Sequence, residues 1–142
     1  YSILDNAMGS GRLFAGANPE NHHLKGLDTD SEKVELVSEI LKEQGFSVDF
    51  AGIGMESVKL PEVSAAIINP PFSITLSSPD IKPMTNITNY GNFGPDSNAL
   101  SHEYALQQAL DAADVVFAIL PDSQVATLEK YKGMRLFHFF FL

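Results

Sequence analysis

Short apolar runs alternate with segments of helical periodicity along most of the sequence, and this alternation constrains the fold more than any other feature. Strands are predicted at 1–4, 23–27, 46–53, 65–68, 115–120 and 135–142, and helical segments at 12–17, 31–44, 97–113 and 122–131. The run 115–120 is apolar throughout, which is typical of a strand covered on both faces. The pattern predicts an α/β domain with a mainly parallel sheet flanked by helices.

The segment after residues 23–27 has the clearest helix signals. Asp30 or Ser31 is a plausible N-cap, and Gly45 ends the segment, since glycine is common just beyond the last turn of a helix. Its apolar residues recur at three- and four-residue spacing, which places them on one helical face: Val34, Val37, Ile40 and Leu41.

The composition is that of one soluble domain. With 142 residues, 44% of them hydrophobic, the chain can form a single core but not two of ordinary size. It contains no run of roughly 18 apolar residues that could span a bilayer and no signal-peptide pattern at its start. We therefore expect a cytoplasmic protein with no membrane partner. The absence of cysteine excludes disulfides, thiolate zinc sites and cysteine nucleophiles.

The charge distribution offers no basic face for a polyanion. The net charge is -9, and the 9 Lys and Arg residues are scattered, with the densest group at Lys130, Lys132 and Arg135. A nucleic-acid substrate would therefore be held mainly by regions outside this chain. Because the sequence opens on a strand-like run and stops in another, we expect residues 1–142 to be one domain of a longer protein.

Two of the candidate sites follow the first two predicted strands. Ligands of a parallel sheet lie outside the carboxyl ends of its strands. The glycine-rich turn at residues 5–11 lets the backbone approach a ligand closely, although a plain tight turn explains it equally well. Asp28, about 20 residues further on, can accept bonds from both hydroxyls of a ribose. Asp30 is better explained as a helix cap.

The third candidate site is Asn69-Pro70-Pro71-Phe72, directly after the strand 65–68. Two prolines fix the backbone, so the Asn69 side-chain oxygen and the Pro70 carbonyl can both accept from one planar amino group. Phe72 offers a face on which an extruded base can stack. The alternative is a strand terminator followed by a core phenylalanine. The long polar stretch after it, 73–96, is interpreted as a substrate-facing loop.

The order of these sites resembles the S-adenosylmethionine-dependent amino methyltransferases, over residues 3–120. The 5–11 turn with Gly-Ser-Gly resembles their cofactor motif, the 69–72 tetrapeptide their catalytic Asn-Pro-Pro-aromatic motif, and Leu120-Pro121 the end of a later strand. The tetrapeptide with phenylalanine at its last position, together with the Gly-Ser-Gly turn, is most similar to the motifs of the N6-adenine DNA methyltransferases of restriction-modification and mobile-element systems. The resemblance implies a Rossmann-like class I methyltransferase fold, truncated here, with S-adenosylmethionine as cofactor and DNA as substrate.

The same resemblance implies a role for each site residue. The methionine part of the cofactor would lie against the turn, the ribose against Asp28, and the target amine at Asn69 and Pro70, with Pro71 and Phe72 completing the catalytic set. The family usually holds the cofactor's adenine with an acid just after the third strand, where Glu56 is the candidate here. Asn6 stands where the family often has proline. The turn residues implied in cofactor binding are Asp5, Asn6, Ala7, Gly9, Ser10 and Gly11.

Three alternatives stay open at this point. The tetrapeptide is shared with families that methylate guanine N2 in RNA or the glutamine side-chain amide in protein, and a non-catalytic methyltransferase-like module would also have this fold. No metal site is predicted: the adjacent residues His22 and His23 are expected at the surface, and His102 with Glu103 on a solvated helix face. Ser10 does not stand in a hydrolase elbow. The oligomeric state is not predicted.

Overall fold

The structure is a computed structural model that describes residues 1–72, 74–76 and 99–122. The elements in chain order are β1 (Ser2–Asp5), β2 (His23–Leu27), α1 (Ser31–Glu43), β3 (Ser47–Ala51), β4 (Val63–Ile68), β5 (Thr75–Leu76), β6 (Ala99–Leu100), α2 (Ser101–Ala112) and β7 (Ala113–Ala118). The main sheet has five parallel strands in the order β3-β2-β1-β4-β7, and β5 and β6 form a two-stranded antiparallel ribbon. The α/β prediction is confirmed.

The strand order reverses between β1 and β4. From β1 the chain adds β2 and β3 on one side, and from β4 it adds β7 on the other. Leu4 pairs with Ala66 in register, so the segments that follow β1 and β4 leave the same edge of the sheet side by side. A ligand crevice is expected outside the carboxyl ends of strands at such a reversal.

Two apolar clusters cover the two faces of the sheet. Ile3 packs with the cluster that includes Leu24 and Val37 of α1, whereas Leu4 belongs to the cluster that includes Tyr104 and Ala109 of α2. Consecutive strand residues point to opposite faces, so β1 contributes to both clusters. The central strand is therefore buried on both sides.

Helix α1 forms where its local signals predict it. The Asp30 side chain accepts a hydrogen bond from the Lys33 backbone N–H at 3.0 Å, which confirms Asp30 as the N-cap. The chain leaves the helix through Gly45, whose φ is +92°. Val34 and Val37 are buried as expected, but Ile40 is 45% exposed because it lies at the edge of the apolar face.

Several predicted features differ in the structure. Residues 12–17 form a short 3₁₀ turn, Arg12–Gly16, instead of an α-helix, and the predicted strand 46–53 shortens to Ser47–Ala51. Val115 and Phe117 of β7 are exposed, so coverage of this strand on both faces is wrong for the described residues, where α2 packs on it from one side. The Lys130 group, the helix at 122–131, the strand at 135–142 and most of the 73–96 loop lie outside the described residues.

Helix α2 is more deeply buried than its sequence indicates. It begins at Ser101, because Ala99 and Leu100 of the predicted helix 97–113 form β6, and its buried residues lie all around the helix. His102 is only 2% exposed, so the prediction of a solvated histidine is wrong: its ring meets Phe72 edge-on, at 6.0 Å between centroids. No helix in the described part of the chain is long and apolar enough to cross a membrane.

Candidate functional site

The glycine turn after β1 is held by one backbone hydrogen bond to β2 and one within the turn. Met8 donates to the Leu27 carbonyl at 2.8 Å, and Gly11 donates to the Met8 carbonyl at 2.8 Å. Gly9 and Gly11 have φ of +52° and +75°, in the left-handed region that residues with a side chain rarely adopt. At Gly11 an added Cβ would also lie 2.9 Å from a methyl carbon of Val37. Glycine is therefore required here for both conformation and packing.

Asp28 lies at the tip of β2 and ties the turn to helix α1. Its carboxylate accepts from the Gly9 backbone N–H at 2.8 Å through Oδ2 and from the Asp30 N–H at 3.0 Å through Oδ1. A carboxylate has about four acceptor positions, so two bonds leave capacity for ligand hydroxyls. Asp30 caps helix α1, as predicted, while the role of Asp28 as a ribose ligand stays a prediction.

Asp5 is a buried acid at the end of β1. It is 1% exposed, and its Oδ1 accepts from the Ala7 backbone N–H at 3.1 Å. Burial, with a smaller contribution from the nearby Asp28 charge, raises the pKa of Asp5 to about 7 against the opposing effect of the hydrogen bond from Ala7. Near neutral pH, Asp5 therefore exists in both the protonated and the ionised form.

Asn6 is buried and joined to helix α2. Its Nδ2 donates to the Ala105 carbonyl and to the Gln108 Oε1, both at 3.0 Å. Its Oδ1 is buried and accepts no hydrogen bond from the described residues. Such an acceptor requires a donor from a ligand or water, because an unsatisfied buried polar group is costly. Asn6 thus gives this turn an acceptor that proline would not provide.

Glu56 lies in the 3₁₀ turn Met55–Ser57, which follows β3 as the resemblance requires. Its carboxylate folds back over Gly54, where an added Cβ would clash with Oε1. The pKa of Tyr104 rises to about 12 through burial and the Glu56 charge, so Glu56 lies near α2. The turn is anchored by Gln108, whose Nε2 donates to the carbonyls of Met55 and Val58 at 2.8 and 3.1 Å.

The Asn-Pro-Pro-Phe tetrapeptide is clamped on both sides. Ile119 donates its backbone N–H to the Ile68 carbonyl at 2.9 Å, and the Ser101 hydroxyl donates to the Pro71 carbonyl at 2.6 Å. Between these bonds Asn69 is exposed and Pro70 is buried. Phe72 is 43% exposed, which contradicts the alternative of a core phenylalanine.

The topology brings the predicted site residues to one edge of the sheet. The turn at 5–11 follows β1, the tetrapeptide follows the adjacent strand β4, and Asp28 and Glu56 follow β2 and β3 on the other side of β1. Ser10 is exposed and Ala7 is half-buried within this turn. Because β1 and β4 are parallel neighbours, the turn and the tetrapeptide lie next to each other.

The histidines form no metal site in the described ranges, where no group of three possible metal ligands occurs. His22 Nδ1 accepts from the Asn18 backbone N–H at 2.8 Å, and His23 Nδ1 is 2.7 Å from the Ser47 hydroxyl. The two rings have separate partners, as expected for adjacent residues, and both are half-buried rather than fully at the surface.

The sequence interpretation missed the residues on α2 that contact the site: Ser101, His102 and Gln108. A polar residue on a predicted helix is usually solvated, so the residue types alone did not indicate that these side chains are buried against the site. The spacing of Ser101 and Gln108 was an available signal. Residues seven apart lie on one helical face, and this face also carries the buried Tyr104 and Ala105.

Comparisons with known proteins agree on the fold. A protein of Pyrococcus horikoshii assigned as an RNA methyltransferase superposes with a TM-score of 0.62 at 22% identity, covering 92% of this chain and 56% of that one. A Listeria monocytogenes protein assigned as a class I S-adenosylmethionine-dependent methyltransferase gives 0.59 at 20% identity, covering 92% and 43%. The fold is the class I methyltransferase fold.

A third solved structure agrees with this fold. An rRNA methylase of Streptococcus thermophilus, also of this fold, superposes with a TM-score of 0.51 at 18% identity, covering 94% of this chain and 72% of that one. The chain spans about half the length of the Pyrococcus and Listeria proteins. No protein-family model and no curated protein sequence matches it.

Proposed function

We propose that this chain is the cofactor-binding and catalytic part of an S-adenosylmethionine-dependent methyltransferase that acts on an exocyclic amine, with N6 of adenine in DNA as the target. The observation that carries the proposal is the clamped tetrapeptide. Its Asn69-Pro70 segment is fixed on both sides and leaves the sheet beside the glycine turn. In the class I fold, this edge is where a donor and an acceptor of a methyl group would meet.

The residues at the edge suit this cofactor. Asn6 Oδ1 is a buried acceptor that needs a donor, the turn with Gly9 and Gly11 lets the backbone approach a ligand, and Asp28 retains acceptor capacity for ribose hydroxyls. The acids Asp28 and Glu56 also favour a ligand that carries positive charge. When bound, S-adenosylmethionine supplies an electrophilic methyl group.

The chemistry assigned to the chain's own residues is that of holding an amine. Asn69 Oδ1 and the Pro70 carbonyl accept from one planar NH2 group, which draws its nitrogen towards tetrahedral geometry and exposes the lone pair. The transfer is a direct displacement with no covalent enzyme intermediate and needs no strong base. The exposed part of Phe72 provides a stacking face for an extruded base.

The choice of adenine in DNA rests on the phenylalanine form of the tetrapeptide and the Gly-Ser-Gly turn. A second candidate is an amine in RNA, favoured by the names of the Pyrococcus and Streptococcus proteins with this fold. With a net charge of -9, the chain would in either case hold nucleic acid mainly through regions outside it.

The test is a methyl-transfer assay on the full-length protein that contains this chain, with a labelled donor and, separately, duplex DNA and RNA. Label on adenine of DNA is expected, and Asn69→Ala should lower its rate at least about 100-fold, because one of the two acceptors for the amine is lost. Asn21→Ala, at an exposed position far along the chain from the tetrapeptide, is the matched control. Label on RNA alone would overturn DNA as the substrate, and no label with no donor binding by calorimetry would overturn the enzyme.

A further inference from the structure

One face of helix α2 contacts all three segments in which the candidate site lies. Ser101, Ala105 and Gln108 are spaced by four and three residues, so they form a single stripe along the helix. All three are buried. The stripe contacts the tetrapeptide at its first residue, the turn after β1 at its middle, and the segment after β3 at its last residue.

Ser101 makes one hydrogen bond to the end of the tetrapeptide and two to Ile74, which lies shortly after it. Its hydroxyl donates to the Pro71 carbonyl at 2.6 Å and accepts from the Ile74 N–H at 3.2 Å, while its own N–H donates to the Ile74 carbonyl at 2.7 Å. Because Pro71 follows Pro70 directly, these bonds restrict the orientation of the Pro70 peptide. Ser101 touches no reacting atom and acts only through this backbone.

Gln108 connects the two cofactor segments to each other. Its Oε1 accepts from Asn6, and its Nε2 donates to the Met55 and Val58 carbonyls on either side of Glu56. Both amide protons of Nε2 and one acceptor position of Oε1 are therefore used within 3.1 Å. Gln108 is 2% exposed, so water does not compete for these bonds.

We propose that Ser101 and Gln108 are positioning residues of two separable kinds: Ser101 orients the amine-holding tetrapeptide, and Gln108 sets the distance between the two cofactor segments. The helix thereby places acceptor and cofactor sites relative to each other. The functional consequence rests on the methyltransferase activity proposed above, whereas the positioning itself does not.

Amide hydrogen exchange of the full chain without any donor tests the positioning. Gln108→Met keeps the length and packing of the side chain but loses its polar atoms, and should speed exchange at residues 6–11 and 55–58 while leaving Asn69 and Phe72 unchanged. Ser101→Ala should speed exchange at Phe72 and Ile74 and leave the other two segments unchanged. Ser64→Ala is the control, since it loses the contacts of its hydroxyl with Ser2 at the amino ends of β4 and β1 and should change neither set.

Binding and rate measurements test the functional consequence. Gln108→Met should weaken the binding of S-adenosylmethionine and of S-adenosylhomocysteine by about tenfold in calorimetry, with kcat at saturating donor unchanged. Ser101→Ala should lower kcat about tenfold with the Kd of both unchanged. Ser64→Ala should change neither Kd nor kcat, apart from any change that its altered thermal stability explains.

The outcomes separate the two proposals. Uniform acceleration of exchange, or the same change in all three variants, would overturn the positioning roles whatever the chain catalyses. Segment-specific exchange in a chain that binds no donor would support the positioning and overturn the proposed function. If exchange is segment-specific but Ser101→Ala and Gln108→Met change Kd and kcat to the same extent, the assignment of separate roles to Ser101 and Gln108 would be overturned.

Discussion

At the scale of residues, the candidate site depends on polar side chains that fold back onto backbone groups. Asp28 binds the Gly9 N–H, Asp5 binds the Ala7 N–H, and Asn6 binds the Ala105 carbonyl. Each of these bonds fixes a turn that carries no regular structure of its own. Asp5 and Asn6 are also almost fully buried, so their protonation and pairing influence stability directly.

The raised pKa of Asp5 predicts a pH-dependent stability. An unfolded aspartate ionises near pH 4, whereas burial holds the pKa in the folded protein at about 7. The folded state therefore binds more protons than the unfolded state between these values, and the contribution of Asp5 falls as pH rises from 4 through 7. The free energy of unfolding of Asp5→Asn, which is neutral throughout, should therefore increase relative to that of the native chain by about 3 kcal/mol between pH 5 and pH 8.

Urea unfolding of both proteins at pH 5 and pH 8 measures this. The difference in free energy of unfolding between Asp5→Asn and the native chain should be larger at pH 8 than at pH 5. Asp114→Asn, at an exposed position of β7, controls for the substitution itself. Equal differences at the two pH values would contradict a raised pKa for Asp5.

At the scale of elements, the two helices differ in what specifies them: residues of the same segment for α1 and contacts with distant segments for α2. Helix α1 has a capping aspartate, an apolar stripe and a terminal glycine, all within its own segment. Helix α2 has no side-chain cap at Leu100, and its polar residues Ser101 and Gln108 bond to segments far along the chain. Neighbouring elements therefore determine the environment of α2, while α1 is specified by its own sequence.

The carboxyl end of α1 provides a test of whether a residue of the same segment determines the conformation at which the helix ends. Gly45 has φ of +92°, and an added Cβ would make an ordinary contact with the Pro19 side chain at 3.8 Å, so Gly45→Ala adds backbone strain without a steric clash. We expect a loss of about 1 kcal/mol in the free energy of unfolding. Gly16→Ala is the matched control, because its φ is not positive and an added Cβ meets nothing within 4 Å. Thermal unfolding of both variants measures the difference, and equal stabilities would show that Gly45 is not needed for its conformation.

At the scale of the whole molecule, the central strand β1 joins the two cores. Leu4 is fully buried against α2, while Ile3 packs with the cluster on the α1 side. The same strand ends in Asp5 and leads into the glycine turn. The position of the site is therefore coupled to the packing of both faces.

A truncation in β1 tests the contribution of the core. Leu4→Ala removes three carbons from a fully buried position and should cost about 3 kcal/mol. Leu36→Ala, at a position of α1 that is 58% exposed, should cost under about 0.5 kcal/mol. Calorimetric unfolding distinguishes the two. A loss in Leu4→Ala no larger than that in Leu36→Ala would contradict the central place of β1.

Local patterns in the sequence determined most of the fold. The strand ending at Asp5, the cap at Asp30, the glycine after α1 and the Pro-Pro end of β4 were each predicted from neighbouring residues, because propensity and backbone geometry act over a few positions. The glycine turn, Asp28 and the tetrapeptide were identified in the same way.

Only the tertiary structure decided how these pieces meet. The bond between Asn6 and Gln108 joins residues 102 positions apart, and the burial of His102 and the exposure of Phe117 depend on which elements pack against them. Residue type alone does not indicate such contacts, since a serine, histidine or glutamine on a helix has the same sequence pattern whether solvent or another segment faces it. The sequence alone indicated the glycine turn, Asp28 and the tetrapeptide, and long-range packing determined which residues of α2 hold them in place.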